Sequence, residues 1–350
     1  MGRSETMRSS ILWVAWMTAL IGSGACSNDE GLPPVDGGSD ASMIDASTTD
    51  ASTTDATIDP PCSGPPGLYE AGSCTRLAEG VRAYHPLYQL WADDSGKERY
   101  LYLPEGSTID TSDPDAWVFP VGTKFWKTFA VGSLRIETRV LEKTVDDVGP
   151  GAWTMRVYMW NTSQDAVSEV LDGVDNALGT THDIPAPVLC ERCHQGVRDV
   201  GLGVAALQLN HAEDGVTLAA LASEGRLSSP IALADAVVPG DDSARAALGY
   251  LHANCSHCHG GEAPAADLNM HLLVGTEAVA DTYTYMTSVG VPSGWASEGV
   301  TARIVPGHPE ASAVTARMAL RGDGQMPPIA TEEVDIVALQ SVRDWISSLP

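Results

Sequence analysis

Two short stretches of the chain combine two cysteines with a histidine at a spacing that suits one flat ligand. The first motif, CERCH, holds Cys190, Cys193 and His194, and the second motif, CSHCH, holds Cys255, Cys258 and His259. On a helical turn, residues three and four positions apart share a face, so the three side chains of each motif point the same way. Two thiols can form thioethers with the vinyl groups of haem while the imidazole binds the iron. The pattern predicts two covalently bound c-type haems.

A structural zinc ion is the alternative occupant of these side chains. Zinc needs four ligands, and the two motifs together could supply four thiolates, or two thiolates with two imidazoles. With seven cysteines in the chain, chance placement would rarely give one such motif and far more rarely two. We therefore favour haem and leave zinc open.

A methionine far along the chain is a candidate sixth ligand for the second haem. Met326 lies in RGDGQMPP, between a glycine-rich turn and two prolines that restrict the backbone. A thioether held rigidly in this way suits haem iron, and a histidine–methionine pair raises the reduction potential. Met270, Met286 and Met318 have no such setting and are expected to pack in the core.

The sixth ligand of the first haem is less sharply indicated. His211, at the end of a helical run, is slightly favoured over His182, which precedes the motif. An open, five-coordinate iron is the third alternative, and it would make the protein an enzyme.

The beginning of the chain has the features of an export signal. Arg3 and Arg8 precede the apolar run ILWVAWMTALIG, which is too short to span a bilayer with normal flanks. Residues 1–25 are therefore predicted to be a signal peptide. Cys26 follows SGA and is the predicted site of lipidation, although Ser23 departs from the usual lipoprotein pattern and ordinary cleavage after Ala25 competes with it.

Residues 26–61 are predicted to be a disordered acidic tether. After Cys26 this segment has eight acidic residues, no lysine or arginine and a repeated DASTT unit, so it cannot bury enough apolar surface to fold. A tether is most useful when its near end is anchored, which favours the lipid on Cys26. The two remaining cysteines, Cys62 and Cys74, are predicted to form a disulfide at the start of the folded part, because an exported chain meets an oxidising compartment.

Residues 62–181 have the composition of a β-rich domain. Runs such as RIETRVLEKTV and TMRVYMW alternate apolar and polar residues, which is typical of antiparallel strands with one solvated face. We predict a β-sandwich-like or barrel-like domain. All four lysines of the chain lie here, at positions 97, 124, 127 and 143, and we expect them on the solvated face. A glycan or protein partner for this domain is an open alternative.

The rest of the chain is predicted to be mainly helical. Residues 182–239 are predicted to form the first haem-binding segment, and residues 240–350 are predicted to form a helical domain around the second haem. Its first helix leads into the second motif from an N-cap at Asp242 or Ser243. Its last helix places six apolar residues on one stripe: Val334, Val337, Ala338, Val342, Trp345 and Leu349. The expected fold class is multidomain α+β.

The order of motifs also resembles a known type of protein. LYQLWADDSGKERYLYLP, DAWVFPVGTKFWKTF, HDIPAPVLCERCH, LGVAALQLNHA and ALGYLHANCSHCH, in this order, resemble an uncharacterised bacterial family of exported di-haem c-type cytochromes. The resemblance runs from Tyr84 to the C-terminus. The last hundred residues, with IVPGHPEAS, ARM and QMPP, also resemble class I cytochrome c domains. This implies redox function outside the cytoplasm.

The charge of the chain bears on its partners. The formal net charge is −26, which disfavours nucleic acid and favours a redox partner protein with a basic face. We expect single-electron transfer at the cell envelope, on its periplasmic side or at the outer membrane, with a lipid anchor holding the protein to the membrane. The alternatives are a peroxidase-like enzyme whose open first haem is fed by the second, and a binding protein with a redox appendage.

Overall fold

Six consecutive strands form one antiparallel sheet. The computed structural model describes residues 61–260, 267–295, 297–329 and 331–350. The strands are β1 (Val81–Ala83), β2 (Gly96–Tyr102), β3 (Lys124–Val131), β4 (Leu134–Lys143), β5 (Trp153–Trp160) and β6 (Val167–Val170). They pair in the order of the sequence, β1 to β6, so each strand hydrogen-bonds to the next one along the chain.

The antiparallel strands were predicted, but the two-sheet sandwich and the solvated face were not correct. Within the described residues the strands make a single sheet, and both faces of its central strands are covered. Leu101, Phe125 and Leu141 lie on the inner face and pack against residues 200–236. Trp126 and Val140 lie on the outer face, against the segment that precedes β2. Coil and short helices therefore cover the sheet where the prediction placed solvent or a second sheet.

The lysines of the sheet also differ from the prediction. Lys143 is 1% exposed and fully enclosed on the inner face, and Lys127 is half-buried on the same face. Lys124 lies three positions before Lys127 on the same strand and therefore on the outer face. It pairs with Glu142 at 3.1 Å. The alternation along the strands was predicted correctly. The prediction that the lysines lie on a solvated face was wrong for Lys127 and Lys143, which lie on the covered inner face.

Seven α-helices and five short 3-10 helices occur in the described residues. The α-helices are α1 (Cys190–His194), α2 (Ala206–Leu209), α3 (Leu218–Ser223), α4 (Asp242–Cys255), α5 (Tyr283–Ser288), α6 (Ala313–Met318) and α7 (Ile336–Ser348). The 3-10 helices are Pro150–Ala152, Ala177–Gly179, Pro187–Leu189, Val279–Asp281 and Pro309–Ala311. No described helix combines the length and apolarity that crossing a membrane requires.

Helices α4 and α7 pack against each other around a second core. The side chain of Asp241 accepts a hydrogen bond from the backbone N–H of Ala244 at 2.9 Å, so α4 is capped one residue earlier than predicted. Asp335 caps α7 in the same way. The core contains Leu248, Leu251, Met270, Ile304, Met318, Leu339, Val342, Trp345 and Ile346.

The predicted stripe of the last helix is partly wrong. Ala338, Val342 and Trp345 are buried as expected, but Val337 is 74% exposed. The reason is the late start of α7 at Ile336, since Val334 precedes the helix and does not set its phase. Met286 is also exposed rather than packed in the core.

The described residues from Pro61 onward belong to one compact unit. Contacts cross the predicted boundary at residue 239, since the backbone N–H of Val274 donates to the carboxylate of Asp115 at 2.8 Å. A disulfide joins Cys62 to Cys74, as expected, with a Cα–Cα distance of 5.7 Å. The predicted signal peptide 1–25, the predicted lipidation site Cys26 and the predicted tether, except for its last residue Pro61, lie outside the described residues.

Candidate functional site

The first motif lies on α1, a helix of five residues. A 3-10 turn that begins with Pro187 leads directly into it. The Nδ1 atom of His194 lies 2.7 Å from the carbonyl oxygen of Val200, which places the ring proton on Nδ1 and leaves Nε2 free. A ring hydrogen bond of this kind fixes the tautomer of an imidazole that binds a metal. Val200 has a φ of 53°, a rare value for a β-branched residue, so the surrounding structure holds this carbonyl in place.

A buried carboxylate fixes the loop that carries Val200. Asp199 is paired with the Nζ atom of Lys143 at 2.6 Å, and the side chains of both residues are fully buried. It also accepts hydrogen bonds from Trp153 Nε1 at 2.8 Å and from the backbone N–H of Phe119 at 2.7 Å. The loop after the first motif is therefore tied to the inner face of the sheet, and His194 is oriented through it.

The second motif begins on the last residue of α4. The backbone N–H groups of Cys258 and His259 both donate to the carbonyl oxygen of Cys255, at 3.0 and 2.8 Å. The chain therefore continues in a turn that keeps the two thiols and the imidazole together. All three residues line one cavity of about 1290 Å³, which we call the second cavity.

Met326 lines the second cavity together with His259. Its loop is tied to α6, because the backbone N–H of Met326 donates to the carbonyl of Arg317 at 3.0 Å. The Arg317 Nε atom donates back to the carbonyl of Gly324 at 2.8 Å. Gln325 closes the loop with hydrogen bonds to the carbonyls of Pro327 and Thr331. The structure thus brings His259 and Met326, the two predicted axial ligands, to one cavity. Hydrogen bonds hold the loop that carries Met326 in place.

The two motifs pack directly against each other. A Cβ atom on Gly196 would lie 1.7 Å from the carbonyl oxygen of His257, so this contact requires glycine. The Sγ atom of Cys258 lies 3.8 Å from the carbonyl oxygen of Arg192, and Cys193 lines the second cavity. Groups bound at the two motifs would therefore be neighbours.

His194 lines a different cavity, of about 730 Å³, which we call the first cavity. Three further imidazoles lie on its wall: His252, His257 and His271. His252 Nδ1 accepts a hydrogen bond from the backbone N–H of Leu272 at 3.2 Å, so its proton is on Nε2. The rings of His252 and His271 meet edge to face at 4.9 Å. His257 has a buried Nδ1 without a hydrogen-bond partner, and it lines both cavities.

The two histidines predicted as sixth ligands of the first site lie elsewhere. His211 is not on the wall of the first cavity, and its Nδ1 accepts from the backbone N–H of Glu213 at 3.2 Å. His182 is buried with its Nε2 atom 2.8 Å from the carboxylate of Glu137. The structure brings neither of them to His194.

Burial governs the protonation of the site. It raises the pKa of all four motif thiols, that of Cys255 to about 12. Burial, with the nearby cations Lys127 and Arg139, lowers the pKa of His194 to about 4. Burial also lowers the pKa of His259. At neutral pH both imidazoles are uncharged, which is the form that binds iron.

The donor set fits haem. Each motif offers two thiols and one neutral imidazole within five residues. His194, whose Nε2 atom is free to bind a metal, lines the first cavity, and Cys193 lines the second. Met326 lines the second cavity together with Cys255, Cys258 and His259. Zinc would need several of these donors to converge on one point. In the described part of the chain, no three His, Cys, Asp or Glu side chains converge in that way.

Sequence reasoning did not find the three extra imidazoles or the cations beside His194. His257 could have been noticed, because it lies inside the second motif. His252 and His271 are nineteen residues apart and meet only through the packing of α4 against the loop at 269–274. No local pattern indicates such a pair.

Comparisons with known proteins add no relative. No protein-family model matches the chain, and neither a curated protein nor a solved structure matches it.

Proposed function

We propose that the protein is a di-haem c-type cytochrome that transfers single electrons. The first motif would hold one haem through Cys190 and Cys193, with His194 on the iron. The second motif would hold the other through Cys255 and Cys258, with His259 and Met326 on its two sides. When bound, a haem supplies an iron that can accept and release one electron.

One observation carries the proposal: Met326 and the second motif line the same cavity, although 67 positions separate Met326 from His259. Two protein ligands on one iron leave no position for a substrate, which favours electron transfer over chemistry on a small molecule. The contact between Gly196 and His257 supports electron exchange between the two sites, because it places the motifs side by side.

A peroxidase-like enzyme is the second candidate, and the first cavity is the observation that favours it. That cavity offers a His194 imidazole with a free Nε2 atom, and polar side chains stand on its walls. An enzyme would leave the sixth position at the first motif open, whereas an electron carrier would fill it with His257 or His271. The spin state of that iron separates the two candidates.

The location and partners belong to the same proposal. An exported chain, anchored through a lipid on Cys26, would place both haems on the outer side of the cytoplasmic membrane. The net charge of −26 favours a small, transient interface with a basic redox protein. Nucleic acid remains an unfavoured partner for the same reason.

The test is a haem count on the full chain, expressed for export together with a cytochrome c maturation system. We expect two haems that stay attached under denaturing conditions, and one in each of the double variants Cys190→Ala/Cys193→Ala and Cys255→Ala/Cys258→Ala. The variant Cys62→Ala/Cys74→Ala removes two cysteines outside the motifs and should keep both haems. A polypeptide of unmodified mass would contradict the proposal.

Replacing Met326 tests the ligand assignment. We expect Met326→Ala to lower the reduction potential of one haem and to abolish the long-wavelength absorption band of sulfur ligation, because the iron loses its thioether. Redox-titrated optical and EPR spectra measure both effects. Met286→Ala is the matched control, since Met286 is exposed and not on either cavity wall. An unchanged potential in Met326→Ala would remove this ligand from the assignment.

A further inference from the structure

Three cations stand in one row across the inner face of the sheet. In the strand register Arg99 on β2 lies opposite Lys127 on β3, and Lys127 lies opposite Arg139 on β4. The Cβ atoms of directly opposite residues are about 5 Å apart, and like charges at that distance destabilise a sheet. We call these three residues the cationic row. A negative charge near the cationic row is needed to offset the repulsion among its three side chains.

The protein itself supplies only part of that counter-charge. Arg139 is held by the carboxylate of Glu137, with a shortest distance of 2.6 Å. Arg99 is 4% exposed, and its guanidinium donates hydrogen bonds to the side-chain oxygen of Gln89 at 3.4 and 3.5 Å. Among the described residues no carboxylate forms an ion pair with Arg99 or Lys127. Arg99, which is buried, and Lys127, which is half-buried, are therefore left without a paired anion, which is costly.

Other carboxylates on the same wall are engaged elsewhere. Asp199 is bound by Lys143, Asp115 accepts from the backbone N–H of Val274, and Asp113 is exposed and accepts from the backbone N–H of Asp115. The cationic row thus faces the first cavity with an excess of positive charge, and all three of its members line that cavity beside His194.

The missing counter-charge matches the chemistry of the group proposed for the first motif. A haem carries two propionate carboxylates, and arginine and lysine bind carboxylates through charge-assisted hydrogen bonds. Burial and the neighbouring cations lower the pKa of Lys127 well below its ordinary value, so an anion at this place is also what would keep that side chain charged.

We propose that the cationic row binds the two propionate carboxylates of the haem at the first motif. The inference rests on the proposed function. It gives the β-rich part of the chain a role in holding the cofactor, because β2, β3 and β4 contribute one cation each. By the same argument the row raises the reduction potential of the first haem, since positive charge favours the state that has gained an electron.

The experiment compares Lys127→Met with Lys124→Met in the full-length protein carrying both haems. The two lysines lie on one strand and the substitutions remove the same charge, but Lys124 is on the outer face and pairs with Glu142. The propionate bending band in the resonance Raman spectrum reports hydrogen bonding to the carboxylates. Spectra poised at two potentials separate the haems, because histidine–methionine ligation raises the potential of the second.

We expect Lys127→Met to shift the propionate band of the first haem and to lower its potential. Lys124→Met should leave both unchanged, and Lys127→Arg, which keeps the charge, should restore both. Arg99→Gln is a second variant of the row for the case in which Lys127→Met does not fold. A band that is unchanged in both row variants would overturn the proposal.

A free anion is the competing ligand of the same chemistry, and succinate serves as its probe. If added succinate shifts the spectrum of the first haem in the unmodified protein and not in Lys127→Met, the row binds an external dicarboxylate and the propionate assignment is wrong. The haem count is made first on each sample. A missing first haem in the unmodified protein would contradict the proposed function, whereas two attached haems with an unchanged band in both row variants would contradict this inference alone.

Discussion

The second motif is held by its own part of the chain, and the first motif is held by residues from distant parts. Helix α4 delivers Cys255 to a cavity whose other walls come largely from residues 267–331. The first motif sits on a five-residue helix, and His194 is oriented through Asp199, which is fixed by Lys143 and Trp153 of the sheet. The comparison shows two ways of presenting the same three side chains. The second motif relies on helix α4 and a nearby loop. The first motif relies on a sheet whose strands come earlier in the chain.

The difference predicts where substitutions act. Damage to the sheet should reach the first motif and spare the second, because no strand residue lines the second cavity. Damage to the cap of α4 should do the opposite. Asp199→Ala and Asp241→Ala test this division directly, and Gly196→Ala and His252→Asn test the packing between the two motifs and around the first cavity. Each variant is measured as a free energy of unfolding in denaturant on the full chain carrying the two proposed haems.

Asp199→Ala should have the largest effect, a loss of about 3–5 kcal/mol, because it leaves the buried Lys143 ammonium without its partner. The reduction potential of the haem proposed for the first motif should change more than that of the haem proposed for the second. Glu142→Ala is the control, since it removes the partly exposed pair with Lys124 and should cost about 0–1 kcal/mol. Equal losses in the two variants would show that the Asp199 pair does not support the first motif.

Gly196→Ala should cost about 1–3 kcal/mol, because the added methyl group would meet the His257 carbonyl and force the motifs apart. Gly151→Ala is the control, since a Cβ atom there would meet no atom within 4 Å. A Gly196→Ala protein as stable as the control would mean that the two motifs are not in tight contact.

Acid should destabilise the protein through His252. Burial, together with His271 and His257, lowers the pKa of His252 to about 3, so the folded state keeps this imidazole neutral. The unfolded chain takes up the proton near pH 6.5, and stability is therefore lost as the pH falls below that value. Between pH 7 and pH 5 this group should account for about 2 kcal/mol.

His252→Asn should remove that part of the acid sensitivity, since an amide oxygen can still accept from Leu272. His308→Asn, at an exposed histidine, is the control and should retain the pH dependence of the unmodified protein. An unchanged slope in His252→Asn would show that His252 is not the buried group responsible.

Asp241→Ala should have the smallest effect, about 1 kcal/mol, because it removes the side-chain cap of the helix that delivers the second motif. Asp241→Asn keeps an acceptor oxygen and should stay within a few tenths of a kcal/mol of the unmodified protein. The expected order is alanine below asparagine, and the reverse order would rule out the cap as the source of the effect.

The same comparison explains what could be predicted from the sequence. The spacing within each motif, the proline-braced Met326 and the helix leading into Cys255 are local patterns, and the structure brings Met326 and the second motif to one cavity. The antiparallel strands also follow from local composition, and the disulfide follows from the two cysteines that remain once the motifs and Cys26 are assigned. The phase of α7 was misjudged because the cap at Asp335, rather than the first apolar residue, decides where that helix begins.

The surroundings of the first motif depend on long-range register. Alternation in β3 separates Lys124 from Lys127, but it does not say which face the chain will cover. That choice is made by residues 200–236, which fold back over the inner face. His252 and His271 likewise come together only through tertiary packing. Sequence reasoning therefore offered His211, His182 or an open position as the sixth ligand of the first site, and neither histidine reaches that cavity.

The strict sequence order of the six strands has a consequence for assembly. Every ladder in the sheet joins strands that are neighbours along the chain, so its backbone pairing is complete once Val170 is available. During synthesis from the N-terminal end, the chain can form these hairpins before the ribosome has made the two motifs at residues 190–194 and 255–259. The surface that receives the first motif can therefore exist before the motif arrives.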